Sequence, residues 1–228
     1  EGLDMLVPML HQAIGAAAES GICEVILAMA HRGRLNVLAN LLGKPYTLIL
    51  AEFEGTVQRD DAGSVDRSLE GWTGDVKYHL GGRTAMREGS DISIVVTLPP
   101  NPSHLEYIDP VAEGMARASD EGRDRPGAPT FYPNAAFPIV HGDAAFSGQG
   151  IVAETLALSN LPGYQTAGTL HIIANNRLGF TAEPEEFRST LYASDLAKGF
   201  EIPVVHVNAD DPEACLAAVR LASAYRQQ

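Results

Sequence analysis

Cysteine is nearly missing from this chain of 228 residues, with only Cys23 and Cys215, far apart and in no metal-type spacing. That excludes a disulfide framework and a cysteine-built zinc site. It suits a reducing compartment, the cytoplasm or, in a eukaryote, the mitochondrial matrix. Long apolar runs are missing too: no stretch reaches the roughly 18 residues of a membrane-spanning helix. No basic region followed by an apolar one opens the chain, so no secretory leader is read there. Positive charge is scarce. Lys and Arg number 16 against 29 Asp and Glu, a formal net charge of −13, and the basic residues are scattered. Nucleic acid and anionic membrane are therefore poor partners, and any anionic ligand needs local arginines or a divalent cation to offset repulsion.

Apolar residues, by contrast, make up 45% of the chain and charged residues 20%, a globular balance. The length suits one large α/β domain over residues 1–228. The chain opens on Glu1 and closes on RLASAYRQQ in the middle of a helical pattern, so a segment of a longer protein is expected. Helical spacing runs from Leu3 to about Ser20 and stops at Gly21; CEVILAM (Cys23 to Met29) reads as a buried strand. Further helices are expected over RLNVLANLLG, from Pro45 to about Glu54, from about His104 to Ser119, over ETLALSNL and YASDLAKGF, and from Asp211-Pro212 onward. ISIVVTL, FPIV, TLHIIA and IPVVHV read as strands, while 56–73 and the linker from Asp120 read as loop. Strands alternating with amphipathic helices predict a doubly wound, mostly parallel sheet with helices on both faces. Ligands in such sheets bind where strand carboxyl ends meet loops, which singles out HRGR, NPSH, HGDAAFSG and NNRLGF.

The stretch HGDAAFSGQGIVAE allows two readings. Gly148, Gly150 and Ala153 spell the G-x-G-x-x-A of a dinucleotide turn, but five residues, Asp143 to Ser147, separate Gly142 from Gly148. A dinucleotide turn needs its first glycine directly after the strand, and an acid at the end of the next strand. TLHIIA ends instead in Asn175-Asn176. A bare carboxylate at Asp143 would repel a diphosphate, whereas with Mg²⁺ between them it becomes a ligand. Asn176 offers an amide oxygen and the NNRL turn a backbone carbonyl toward the octahedral set of oxygens that Mg²⁺ prefers.

Gly142-Asp143-Ala144, followed after 30 residues by Asn175-Asn176, resembles the thiamin diphosphate signature. MAHRGRLNVLANLLG, TGDVKYHL, NPSHLE, HGDAAFSGQGIVAETL, ANNRLGFT, RSTLYASD and HVNADDPEA, in that order, resemble the thiamin-dependent first component of the 2-oxoglutarate dehydrogenase complex. The resemblance implies that Mg²⁺ is bound by Asp143, Asn176 and the carbonyl of Leu178. It implies that Ala144 and Ala145 line the diphosphate, that Arg32 reaches it, and that Leu105 and His79 support thiamin diphosphate. His31 and His79, with Ser103, would meet 2-oxoglutarate. It further implies a homodimeric full-length protein, a lipoyl-bearing dihydrolipoyl succinyltransferase as partner, and a separate domain supplying the glutamate that activates the cofactor. The isolated segment is then expected to turn over little.

Plainer readings compete at each position. Asp143 could cap a helix, Asn175-Asn176 could be a turn pair, His31-Arg32 could be a solvated loop, and Ser103 could be a cap. His141 and His171, inside strand runs, read as satisfied core residues rather than ligands. Three other functions stay open: a paralogue acting on 2-oxoadipate, an assembly module without catalysis, and a dinucleotide oxidoreductase.

Overall fold

The computed structural model describes residues 3–54, 78–88, 92–122, 130–131, 135–136 and 138–228. The loop expected at 56–73 and most of the linker lie outside these residues. Helix α1 (Leu6–Glu19) buries Leu10, Ile14, Ala17 and Ala18 on one stripe, and Gly21 ends it at φ +87°. The amides of Gly21 and Ile22 donate back to Ala18 and Ala17, closing the last turn in the left-handed way glycine permits.

The run from residue 24 to 29 forms β1 (Glu24–Ile26) and β2 (Ala28–Met29), and its side chains alternate between two cores. Val25, Leu27 and Met29 join α1, with Val37 and Leu38 of α2 (Arg34–Asn40). Ile26 and Ala28 face the other way, onto Ile108, Ala112 and Ala116 of α4 (Ile108–Asp120). This two-sided burial is why the strand reads as an unbroken apolar run. Each fully buried aliphatic side chain here contributes about 1.5–3 kcal/mol.

Helix α3 (Tyr46–Glu54) leads to the antiparallel pair β3 (Gly82–Glu88) and β4 (Ile92–Leu98). β4 pairs β1 in parallel, and β1 pairs β7 (Ala135–Ala136). β2 pairs β8 (Pro138–Gly142), which pairs β9 (Leu170–Ala174), again in parallel. A two-residue pair, β5 (Glu121–Gly122) with β6 (Thr130–Phe131), stands apart. The chain therefore steps from the first strand to β4 on one side, then to β8 and β9 on the other. The turn after β2 and the helix that starts directly after β8 lie at the crevice between these strands, a topological switch point.

Past β8 come α5 (Asp143–Gly148) and α6 (Gly150–Ala157). α7 (Pro184–Phe187), α8 (Asp195–Lys198) and α9 (Pro212–Arg226) follow β9. Asp211 caps α9 by accepting from the amide of Ala214, with Pro212 in the first turn as its position predicted.

Three expectations need correction, and one strand was not expected at all. IPVVHV carries no strand: Val204 and Val205 are 36% and 49% exposed, unlike a central strand buried on both faces. Gly82–Glu88, by contrast, is a strand at the sheet edge, where polar residues are tolerated and the apolar signal is weak. HGDAAFSG is not a loop, because α5 starts at Asp143 directly after β8. The helix expected from His104 begins at Ile108, since 103–107 are spent in turns that carry site residues.

Candidate functional site

The site is assembled from the carboxyl ends of β2, β4, β8 and β9. Arg34, fully buried, joins the first two. Its guanidinium donates to the carbonyls of Met29 (2.5 Å), Pro99 (2.9 Å) and Leu80 (3.1 Å). Burial pulls its pKa down to about 10, which leaves it charged at neutral pH. The HRGR turn, the segment ending in His79 and the PPNP loop are thereby held together, and the amide of Asn101 adds a bond to the carbonyl of His79. His31 and His79 end as neighbours, ring centroids 5.5 Å apart and edge to face. The His79 Nε2 is buried without a hydrogen-bond partner among the described residues, a polar atom left for a ligand. Arg32 is exposed beside them.

Ser103 is exposed and Leu105 half-buried in the turn ahead of α4. Ser103 does not cap that helix, whose cap residue is Tyr107. The amide of Glu106 donates to Gln149 Oε1 (3.2 Å), tying this turn to the junction of α5 and α6. Behind it lies a buried polar chain. His141 Nδ1 is 2.7 Å from Glu106 Oε2, and His141 Nε2 is 2.9 Å from His171 Nδ1. Burial lowers the two imidazoles, to about 4 and about 3, so both are neutral. Burial raises Glu106 to about 7; it also raises Asp109, to about 8, with Glu106 adding to the effect. Glu106, Asp109 and His141 offer ligand-type atoms within 4.8 Å of one another, yet both nitrogens of His141 are already spent on hydrogen bonds. His141 is a satisfied core residue, as its place in a strand suggested, and His171, partly buried, is bonded to it.

Asp143 is 1% exposed and caps nothing: the residue preceding α5 is Gly142, and no side chain caps that helix. Its Oδ2 accepts from Arg188 (3.3 Å), while its Oδ1 is buried with no partner among the described residues. Ala144 is half-buried and Ala145 buried in the same first turn. The glycines of the G-x-G-x-x-A pattern end α5 and open α6, so they form no turn directly after a strand. In the β8–β9 register Gly142 stands opposite Ala174, which places Asp143 and the Asn175-Asn176 pair on adjacent strand ends. Neighbouring strands lie about 5 Å apart. Asn176 Oδ1 accepts from the amide of Leu178 (3.2 Å), which leaves a second lone pair. Arg177 and Phe180 take positive φ, +60° and +61°, and bend this turn sharply; Leu178 is 42% exposed on it.

The sequence reading missed Arg34, Glu106 and Arg188. Only the motif RSTLYASD, quoted without a role, pointed toward the last.

A parallel strand pair with an acid and a carboxamide at its adjacent ends brings together two oxygen donors of the kind a hard cation takes. The family model of the dehydrogenase E1 component matches residues 1–228, and the chain belongs to that family. It is similar to the 2-oxoglutarate dehydrogenase E1 component of Geobacillus kaustophilus, with 58% identity over 232 residues that cover all of this chain and 24% of that protein. The protein of the same name from Bacillus subtilis is 56% identical over 231 residues, with the same coverage. The chain thus spans about a quarter of the length of the curated relatives it matches.

Proposed function

We propose that this chain is the metal- and diphosphate-binding part of a thiamin diphosphate-dependent 2-oxoglutarate dehydrogenase. The whole enzyme would decarboxylate 2-oxoglutarate and pass the succinyl unit to a lipoyl group on dihydrolipoyl succinyltransferase, as a homodimer. The observation that carries this reading is the unpartnered, buried Oδ1 of Asp143 beside the strand end that bears Asn176. A buried carboxylate oxygen is costly unless matched, and a hard cation matches it. Asp143, Asn176 and the carbonyl of Leu178 fit Mg²⁺ in donor type, all being oxygens. The names of the relatives supply the substrate.

When bound, the cofactor supplies the electron sink for loss of CO₂. The chain's own residues do the rest. Ala144 and Ala145 keep side-chain bulk away from the diphosphate, and Arg32 offsets its charge. His31 and His79 bind the distal carboxylate of the keto acid and serve the proton transfers of the reaction, with Ser103 beside them and Leu105 against the cofactor. Arg34 holds the loops that carry them, which fixes their orientation.

Calorimetric titration of the full-length protein tests this. Asp143→Ala should abolish Mg²⁺-dependent binding of thiamin diphosphate. His31→Ala should raise the KM for 2-oxoglutarate about tenfold or more, on the order of one hydrogen bond to a charged group, and leave cofactor affinity within about twofold. Unchanged cofactor affinity in the first variant would reject the metal bridge. Faster turnover of 2-oxoadipate than of 2-oxoglutarate would reassign the substrate by one methylene.

A further inference from the structure

We infer that Arg188 is the positioning residue of the metal site, aiming the Asp143 carboxylate so that Oδ1 alone is offered to the ion. The inference rests on the reading of Asp143 as a metal ligand. Arg188 follows α7 directly, its amide bonded to the carbonyl of Pro184, and its side chain is 10% exposed. The guanidinium meets Asp143 Oδ2 at 3.3 Å and lies 5.3 Å from the centroid of the Phe187 ring. The two oxygens of Asp143 are thus unequal: one is held by an arginine and the other is buried and unmatched.

The same short segment also braces the second metal loop. A Cβ on Gly179 would stand 2.3 Å from Phe187 Cδ1, so the Asn176–Phe180 turn lies directly on the Phe187 ring. Arg177 of that turn reaches Glu185 of α7 at 3.5 Å. Neighbouring side chains, Phe187 and Arg188, therefore set the Asn176–Phe180 turn and the start of α5 against each other, one by packing and one by charge. Outer-sphere partners of this kind fix ligand orientation. Without Arg188, Asp143 keeps its place on α5 but loses the contact that fixes the rotation of its carboxylate. Repulsion between the guanidinium and the incoming cation acts in the opposite direction, so the sign of the effect decides between the two.

The test is Mn²⁺ binding to the full-length protein with thiamin diphosphate present. It is followed by electron paramagnetic resonance for the wild type, Arg188→Met, Arg188→Lys and Asp143→Asn. Arg188→Met should weaken Mn²⁺ binding by about 10–100-fold. Arg188→Lys should restore part of the loss, which a purely structural defect would not show, and it decides the matter should the methionine variant fail to fold. Asp143→Asn should remove binding. Loss in Asp143→Asn with both Arg188 variants binding as tightly as the wild type, or tighter, overturns the positioning role and leaves the metal site standing. Retained binding in Asp143→Asn overturns both.

Discussion

Asp109 and Glu106 share a buried corner with two neutral histidines, and their protons have a consequence for stability. Both carboxyls have folded-state pKa values above the unfolded ones, about 8 and about 7. The folded state therefore holds more protons than the unfolded state up to those values, and stability falls as pH rises through them. His141 and His171 are shifted downward, so their effect runs the other way and is confined below about pH 6.5. Between about pH 6.5 and 8 only the carboxyls act, and the expected loss is on the order of 1 kcal/mol. Asp109→Asn, which cannot ionise, should flatten that decline in urea unfolding at a series of pH values. A parallel decline in both proteins would contradict it. Of these residues the sequence disclosed only part. Asp143 and Asn176 could be singled out as candidates because the motif holds both at a fixed spacing. Glu106 and Arg188 could not, because their partners stand 35 and 45 positions away, and Arg34 grips a carbonyl 65 positions away. Only the fold brings such pairs together.

Elements were legible where burial is two-sided. The run from Glu24 to Met29 declared itself as a strand because alternate residues enter different cores. Gly82–Glu88 escaped notice because an edge strand needs no apolar face. IPVVHV misled because β-branched residues favour a strand only where a neighbour receives them. The turn after β9 belongs to this scale as well, since its shape depends on α7. Gly179→Ala would put a methyl group into the Phe187 ring. The ring must shift, at about 1–3 kcal/mol of stability, and the Asn176 turn should shift with it. A melting temperature unchanged from the wild type, with unchanged Mg²⁺ affinity, would show that this packing does not shape the site.

Over the whole molecule, a net charge of −13 is compatible with the diphosphate ligand of the proposed function only if cations gather at one place. The switch between β2 and β8 is that place. Arg32 and Arg34 follow β2 and Arg188 meets Asp143 after β8, and on the proposed function a divalent ion would complete the balance. The most direct measurement is the anomalous diffraction of Mn²⁺ in crystals of the full-length protein grown with thiamin diphosphate. One peak is expected, within about 2.2 Å of Asp143 Oδ1, Asn176 Oδ1 and the Leu178 carbonyl. A peak among Glu106, Asp109 and His141 instead, or none near Asp143, would contradict the account.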